Sequence, residues 1–382
     1  MKLSIGIKAL GSISALGKNS EEILNAYNNN SSYIQKRNND WQVPLGEFSY
    51  PIFEEIRDWD RAFSHADKSL LMALQVSKVC LETTDWKDYE DSAVFFGSSR
   101  GAAEQLENNH ELHLKGQAIH PFTSPLTSMG NISALVARQF GIGGFNDTLS
   151  MTCSSSFHAL IQGIVWLQSG MKEKVLVGGT EAPLTPFFIQ QLKSLGLYSK
   201  LNGEYPNRSL DLNKDTNTMV LGEGAACVSI ESAKRDTAYL ARITGMGYGM
   251  EKAPNITGLS SEAFNIQKAM TAALEAHEKD TIDLIICHAP GTKKGDAAEL
   301  KAIEKVFGDN FPEVTSNKWK LGHTLGASGL LSLEMAILML HSGKIFFPPY
   351  LKKNSEGKAR KIMINSLGFG GNAISIIVES NS

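Results

Sequence analysis

The chain has 382 residues, 42% of them hydrophobic and 20% charged, which is an ordinary globular composition with room for two domains or one large duplicated unit. Lys and Arg (37) do not exceed Asp and Glu (40), and the net charge of −3 predicts no binding of nucleic acid. No run reaches the roughly 18 apolar residues of a membrane-spanning helix, so no membrane span is predicted.

Predicted strands and helices alternate along the chain. Strands are expected at residues 2–9, 145–151 and 174–178. Residues 92–101 and 283–292 are each expected to form a strand that runs into a turn, and two further strands with a glycine turn are expected within 361–380. The helices are expected at residues 66–83, 126–140, 153–169, 261–277, 295–306 and 323–342. Residues 27–40 and 199–218 are expected to form surface loops. This alternation is typical of a layered α/β fold.

Two segments of the chain resemble each other. Residues 153–172 and 326–345 both begin with small residues, continue as an apolar helix and end in Ser-Gly. A repeat of this kind predicts two halves of one duplicated fold, although any two buried helices that end in Ser-Gly would give the same pattern.

Cys153 stands among small residues where a helix is predicted to begin, in the stretch SMTCSSSFHAL. Unsatisfied N–H groups in the first turn of a helix are expected to lower the pKa of such a thiol and can hold an oxyanion. From this stretch alone, Cys153 is either a nucleophile or a buried structural residue. Cys80 and Cys227 lie in apolar contexts and are expected to be core residues. The four cysteines form no CxxC pair, which favours a reducing cytoplasm over a metal site or disulfides.

Two histidines follow strand-like runs and enter glycine-containing turns. They are His288, in ICHAPGTKKGDAAE, and His323, in KLGHTLGASG. Strand ends of this kind are where α/β proteins place catalytic side chains. Each histidine alone is also compatible with an ordinary loop residue, but with Cys153 they form a Cys/His/His set.

Four blocks of sequence carry a family resemblance. In chain order they are TCSSSFHA, HAPGTKKGDAAELKA, SNKWKLGHTLGASG and NSLGFGGNA. They resemble the signature blocks of the β-ketoacyl-acyl-carrier-protein synthases, the condensing enzymes of the thiolase superfamily. GSSRGA, GGTEAPLTP and NRSLDLNKDTNTMVLGEGAA also resemble family blocks, so the resemblance covers most of the chain.

The resemblance implies a role for the residue at each matching position. Cys153 is implied to be the nucleophile, with His288 and His323 as the catalytic histidines. Phe369 is implied to be the gate of the acyl pocket and, with Cys153, to supply the backbone N–H groups of an oxyanion hole. The supporting charged residues of the family fall on Asp296, Glu299 and Lys318.

Further contacts are implied around these residues. Glu299 and Lys318 are expected to pair and to set the electrostatics of the histidines; without the resemblance, such a pair would be an ordinary salt bridge. The acyl pocket is expected around residues 121–133, with Phe157 and Phe187.

The resemblance also implies the fold class, α/β, as the duplicated five-layer α/β/α/β/α thiolase fold. Residues 1–235 are expected to form the half with the nucleophilic cysteine, and residues 236–382 the half with both histidines. A dimer strand is expected near residues 145–150, in a homodimer or in a heterodimer with a ketosynthase-like subunit.

The implied activity is that of a 3-oxoacyl-[acyl-carrier-protein] synthase. An acyl-Cys153 intermediate would undergo decarboxylative Claisen condensation with malonyl-ACP, in fatty-acid, polyketide or polyene-type biosynthesis. The implied partner is an acyl carrier protein that carries acyl and malonyl thioesters, and no metal or organic cofactor is expected.

Two alternatives to this activity are compatible with parts of the sequence. One is a non-catalytic or chain-length-shaping partner subunit of a ketosynthase heterodimer, against which Cys153 and both histidines argue. The other is a degradative thiolase, which uses a second cysteine late in the chain; no cysteine follows Cys287.

The chain departs from the family pattern at several positions. The usual His-Gly-Thr-Gly-Thr motif is replaced by His-Ala-Pro-Gly-Thr, and Pro290 removes a hydroxyl and an N–H from this turn. Leu367 replaces phenylalanine, and Asn372 replaces threonine. DTNTMV, at 215–220, replaces Arg-Asp-Gly-Phe-Val. These departures suggest a specialised branch in a secondary pathway.

Overall fold

Strands and helices alternate along the chain in the computed structural model, which describes residues 3–252, 258–275, 277–353 and 357–380. The strands are β1 (Ile5–Ser14), β2 (Gln35–Arg37), β3 (Asp40–Val43), β4 (Ala93–Gly97), β5 (Asn146–Leu149), β6 (Lys174–Glu181), β7 (Leu221–Gly222), β8 (Gly224–Ser232), β9 (Ala241–Met250), β10 (Leu284–Ile286), β11 (Glu313–Thr315), β12 (Lys361–Gly368) and β13 (Asn372–Glu379). The helices are α1 (Ser20–Asn28), α2 (Ser49–Trp59), α3 (Lys68–Thr83), α4 (Ala103–Leu114), α5 (Thr123–Thr127), α6 (Asn131–Gln139), α7 (Ser155–Gln168), α8 (Pro186–Ser194), α9 (Phe264–Ala273), α10 (Lys293–Phe307), α11 (Lys318–Leu321) and α12 (Ser328–Ser342).

The predicted elements are present with shifted ends. The helix predicted at 126–140 is divided, because α5 ends at Thr127 and α6 begins at Asn131. The predicted loop at 199–218 has no regular structure, but several of its residues are buried, among them Asn207 and Ser209. Residues 2 and 276, which two of the predictions include, lie outside the described residues.

The main sheet has the strand order β11-β10-β12-β13-β9-β1-β8-β6-β4-β5. Its N-terminal half reads β5-β4-β6-β8-β1, and its C-terminal half reads β11-β10-β12-β13-β9. If the five strands of each half are numbered along the chain, both halves have the order 3-2-4-5-1. The halves join where β1 and β9 pair antiparallel. The predicted duplication is therefore visible in the topology.

Helices cover the outer face of each half of the sheet, and two more helices lie between the halves. α2, α3 and α6 pack on the outer face of the N-terminal half, and α9 and α10 pack on the outer face of the C-terminal half. α7 and α12 lie between the two halves and contribute to one central core. The predicted five-layer α/β/α/β/α arrangement is confirmed.

The two central helices are the pair that the sequence repeat predicts. Each follows the third strand of its half and begins with a 3-10 turn, at Thr152–Ser154 and Leu325–Ala327. Every residue from 328 to 339 is buried, because α12 has neighbours on all sides. Leu325–Ser342 is long and apolar enough to cross a membrane, but 83% of this window is buried inside the protein, as in a core helix.

Candidate active site

The predicted site residues lie after the carboxyl ends of strands from both halves. Cys153 follows β5, His288 follows β10, His323 follows β11 and Phe369 follows β12. β4 pairs in parallel with β5 and β6, and β10 pairs in parallel with β11 and β12. The carboxyl ends of parallel strands lie at one edge of a sheet, so each half collects its site residues at one edge. These two edges bring the cysteine of one half and the histidines of the other together.

Cys153 lies in the 3-10 turn that precedes α7 and is only 7% exposed. Thr152, just before it, has a φ of 52°, an uncommon conformation for a β-branched residue. The turn is fixed by Ser154 Oγ, which donates to Asn372 Oδ1 at 2.6 Å, and by Ser155 Oγ, which donates to Thr152 O at 2.6 Å. The strained backbone is thus tied to β13 and α7.

The electrostatics of Cys153 differ from the sequence prediction. Burial, with the charge of Glu181, raises the pKa of the Cys153 thiol to about 12, while Lys318 and Arg100 act in the opposite direction. The predicted lowering by the start of a helix is therefore wrong, because the surroundings desolvate the thiolate. Cys153 carries its proton at rest.

Glu181, at the end of β6, organises the loops around Cys153. Its carboxylate accepts hydrogen bonds from the backbone N–H groups of Ser99 at 2.7 Å, Arg100 at 2.9 Å and Gly326 at 2.9 Å. A Cβ atom at Gly326 would lie 2.7 Å from Glu181 Oε2, so this approach requires glycine. No pattern in the sequence predicts this role for Glu181, although a carboxylate at the end of an apolar strand is a usable signal.

His288 is held through its backbone by Glu299. Glu299 accepts from the N–H groups of His288 at 2.9 Å and Ala289 at 2.8 Å, and from Asn365 Nδ2 at 3.2 Å. Burial raises the pKa of Glu299 to about 7. Burial, aided by the charge of Lys318, lowers the pKa of His288 to about 3, so its imidazole is neutral near pH 7.

His323 is fixed by the short strand β7. The backbone N–H of His323 donates to Val220 O at 2.7 Å, and the backbone carbonyl of His323 accepts from Gly222 N at 3.1 Å. Burial, with His288 and Lys318, lowers the pKa of His323 well below its usual range. Its Nδ1 atom is buried and has no hydrogen-bond partner in the described chain.

The cysteine and the two histidines converge. The rings of His288 and His323 are nearly perpendicular, with centroids 5.0 Å apart. Cys153 Sγ and one nitrogen of each ring all lie within 4.8 Å of one another. A thiolate and two neutral imidazoles are also ligands that zinc accepts, so these three residues could hold such an ion if Cys153 lost its proton.

Lys318 and Glu299 do not form the predicted pair. Lys318 Nζ donates to Asn317 Oδ1 at 2.7 Å, and the ion pairs of the described residues include none between Lys318 and Glu299. Backbone N–H groups and Asn365 occupy the Glu299 carboxylate instead. Burial lowers the pKa of Lys318 to about 8, and Glu299 acts against this shift through space.

Asp296 is buried and forms an ion pair with Lys214 at 2.8 Å. It also accepts from the N–H groups of Gly291 and Thr292, both at 3.1 Å, and so fixes the turn after His288. Sequence analysis missed Lys214, because it assigned this residue to a surface loop.

A cavity of about 600 Å³ joins these groups, and its lining includes Cys153, both histidines and Phe369. Two predicted pocket residues lie elsewhere. Phe157 is fully buried in the central core, against Gly329, and Phe187 is 62% exposed. Phe188 lines the cavity instead, since neighbouring residues of a helix point about 100° apart. Residues 121–133 do not contribute to this lining either.

Comparison with known proteins agrees with this architecture. The 3-oxoacyl-[acyl-carrier-protein] synthase 2 of Coxiella burnetii is 26% identical over 406 residues, which cover 97% of each protein. A ketosynthase of a type II PKS, solved in complex with its acyl-carrier protein and bound to the hexaketide, matches with a TM-score of 0.85 at 18% identity, and the match covers 100% of both chains. A ketosynthase from Xenorhabdus doucetiae, in complex with its chain length factor, gives a TM-score of 0.84 at 22% identity, over 99% of this chain and 98% of that one.

Two family models also match the sequence. The Beta-ketoacyl synthase N-terminal domain matches residues 38–236, which is more than half of the chain, and the Beta-ketoacyl synthase C-terminal domain matches residues 240–352. The first match contains the cysteine, and the second contains both histidines. This chain therefore belongs to the β-ketoacyl synthase family.

Proposed function

We propose that the chain is a 3-oxoacyl-[acyl-carrier-protein] synthase, an acyltransferase that joins an acyl group on Cys153 to a malonyl thioester with loss of carbon dioxide. The observation that carries this proposal is the convergence of the Cys153 thiol with two neutral imidazoles within 4.8 Å. The family membership and the apolar wall of the cavity, which includes Phe188, Leu192 and Leu197, support it.

Acyl loading is the first step. Cys153 Sγ attacks the carbonyl carbon of an acyl thioester, and the bond from that carbon to the pantetheine sulfur breaks. The proton of the thiol passes to the departing sulfur, through a neutral imidazole that can accept and return it. The backbone N–H groups of Cys153 and Phe369 are proposed to hold the oxyanion.

Condensation is the second step. A malonyl thioester enters, and His288 and His323 donate hydrogen bonds to its thioester carbonyl oxygen. The bond to the carboxylate carbon breaks, carbon dioxide leaves, and the electron pair forms an enolate that the two donors stabilise. The α-carbon attacks the acyl-Cys153 carbonyl, the ketoacyl product forms, and the released thiolate takes up one proton.

The supporting residues act through the histidines. Glu299 and Asp296 bind the backbone of the turn that carries His288, and the Lys318 charge disfavours protonation of both imidazoles. Neutral imidazoles suit the condensation step, because a cationic imidazolium would stabilise the malonyl carboxylate that has to leave as carbon dioxide. Phe369, at the cavity wall, is proposed as the gate.

The proposed partner is an acyl carrier protein that bears the acyl and malonyl thioesters. The relative from Coxiella burnetii carries this carrier in its name, and the type II ketosynthase was solved with one. We propose a dimer through β5, with a second copy or with a ketosynthase-like subunit, and a cytoplasmic location. We also propose the two halves 1–235 and 236–382, a division that the duplicated strand order supports.

Intact-mass spectrometry of the purified chain tests the proposal. The parent is expected to gain the mass of one acyl group from acyl-ACP and to release carbon dioxide from malonyl-ACP. Cys153→Ala should lose acyl loading completely, because Cys153 is the only thiol among the described residues that line the cavity. Cys287→Ala is the matched control, since Cys287 is fully buried and does not line the cavity.

The result also separates the enzyme from a non-catalytic partner subunit. Acyl loading that persists in Cys153→Ala contradicts the assigned nucleophile. A parent chain that neither loads an acyl group nor releases carbon dioxide favours the partner subunit.

A further inference from the structure

Among the described residues that line the cavity, the cations Arg100, Lys293 and Lys294 have no part in the proposed chemistry. Arg100 follows β4, and its side chain lines the same cavity as Cys153. The residue is exposed. Its backbone N–H donates to Glu181 Oε1 at 2.9 Å, so the position from which the side chain projects is fixed.

The Arg100 guanidinium has an aromatic neighbour and, among the described residues, no ion-pair partner. Its central carbon lies 4.2 Å from the centroid of the Phe188 ring. No ion pair and no side-chain hydrogen bond within the described part of the chain involves this guanidinium. A guanidinium that stacks on a ring keeps the N–H donors at its edge available, in a planar fork that matches a carboxylate.

The remaining wall of the cavity is largely apolar around this group. Leu192, Leu197, Met219 and Leu325 are among its lining residues. A purely hydrocarbon acyl group that fills this space removes water from Arg100 and offers no acceptor in return, which is unfavourable. An acyl group with an oxygen acceptor replaces the lost water.

We propose that Arg100 is a specificity-determining residue, which selects for Cys153 those acyl groups that carry an oxygen acceptor beyond the thioester, a carboxylate best of all. This inference rests on the proposed function, because it concerns the acyl group that Cys153 takes up. Binding of the malonyl carboxylate is the less favourable use of Arg100, since an ion pair would stabilise the very group that must leave as neutral carbon dioxide.

The test compares acyl groups of similar length on a small carrier. Glutaryl, 5-oxohexanoyl and hexanoyl thioesters of N-acetylcysteamine are offered separately, and the rate of Cys153 acylation is followed by intact mass. The parent is expected to load the glutaryl group about 10-fold faster than the hexanoyl group, with the oxohexanoyl group between them. Arg100→Met, which keeps length without charge, should reverse this order.

Two further variants make the result specific. Arg100→Lys keeps the charge without the planar fork and should retain a smaller preference for the glutaryl group. Arg57→Met removes a cation on α2 that does not line the cavity, and should keep the order of the parent. The melting temperature of each variant verifies that it is folded.

Several outcomes would overturn the inference. An order of rates that is the same in the parent and in Arg100→Met removes the role of Arg100 but leaves the proposed function standing. A loss of malonyl decarboxylation in Arg100→Met, with the acyl preference unchanged, would assign Arg100 to the malonyl carboxylate instead. A parent that loads none of the three groups from N-acetylcysteamine or from ACP overturns this inference, and the proposed function falls with it only if the parent also releases no carbon dioxide from malonyl-ACP.

Discussion

The proton on Cys153 has to move before the residue can attack. With a pKa of about 12, the thiolate is scarce near neutral pH, and attack depends on a base within reach. Both imidazoles are neutral, because their pKa values are lowered, and a neutral imidazole has a nitrogen that can accept a proton. The burial that keeps the thiol protonated is thus the same burial that keeps its base unprotonated.

Glu334 is a buried carboxyl that the proposed chemistry does not use. It lies on α12 and accepts a hydrogen bond from Ser12 Oγ, while its Oε2 atom has no partner in the described chain. Burial raises its pKa to about 7, from an ordinary value of 4.5. Between these pH values the folded protein holds a proton that the unfolded chain releases, so stability falls as pH rises from about 4.5 to about 7.

Glu334→Gln removes this titration and is expected to stabilise the protein above pH 7. Glutamine cannot ionise, so the gain in unfolding stability of the variant over the parent should be small at pH 5 and should grow until about pH 7. Thermal unfolding at pH 5 and pH 8 measures the difference, which we expect to reach about 2 °C or more at pH 8. The exposed Glu304→Gln, on α10, is the control and should show no such growth; a difference that is equal at both pH values would contradict the prediction.

One segment of the N-terminal half holds the histidine turns of the C-terminal half. Asn207 Nδ2 donates to Pro290 O at 3.0 Å, and Ser209 Oγ donates to Ala289 O. Further along, Thr218 N donates to Gly291 O at 2.8 Å, and β7 pairs with His323. Ala289 has a φ of 21°, so the turn after His288 is strained and depends on these contacts.

Asn207→Ala should therefore separate the two steps of the reaction. Loss of the bond to Pro290 O frees the turn and misplaces His288, and we expect the kcat of malonyl decarboxylation to fall about 10-fold. Acyl loading, which His323 can still support, should change by less than about twofold. The control is Asn213→Ala, an exposed change in the same segment; equal losses in loading and decarboxylation would show a general structural defect instead.

The sequence predicted those elements whose patterns are strong. α3, α7 and α12 have long apolar patterns, and their predicted ranges agree with the structure to within a few residues. α8 was not predicted, and without its orientation the pocket residue was placed on Phe187 instead of Phe188. The partners of Glu299 were also beyond reach, because the spacing of charged residues does not reveal which backbone N–H groups a buried carboxylate will meet.

At the scale of the molecule, the duplication explains how residues from both halves converge on one site. Cys153 and His288 are far apart in sequence, and composition and periodicity alone could not bring them together. The family blocks could, because they imply a known topology in which matching strands of both halves end at one site. The direction of the shift in the Cys153 pKa could not be predicted from the sequence, because the burial of the thiol depends on how both halves pack around it.

The main sheet leaves β5 with one neighbour, at the end opposite to β11. Phe145, just before β5, is 46% exposed, and its ring stacks on Trp166 with centroids 4.5 Å apart. An exposed edge with an aromatic platform favours pairing with another chain, since the side of β5 that faces away from β4 has no neighbouring strand in the sheet of the described residues. This edge is where the proposed dimer would form.

Phe145→Glu tests that interface in solution. A carboxylate at the platform would be desolvated by a second copy, so the dimer should dissociate, while the fold persists because position 145 is already partly exposed. Size-exclusion chromatography with light scattering should give twice the chain mass for the parent and one chain mass for the variant. Tyr50→Glu, which alters an exposed aromatic residue on α2, should remain dimeric. A monomeric parent, or a Phe145→Glu variant that stays dimeric, would contradict self-association through β5.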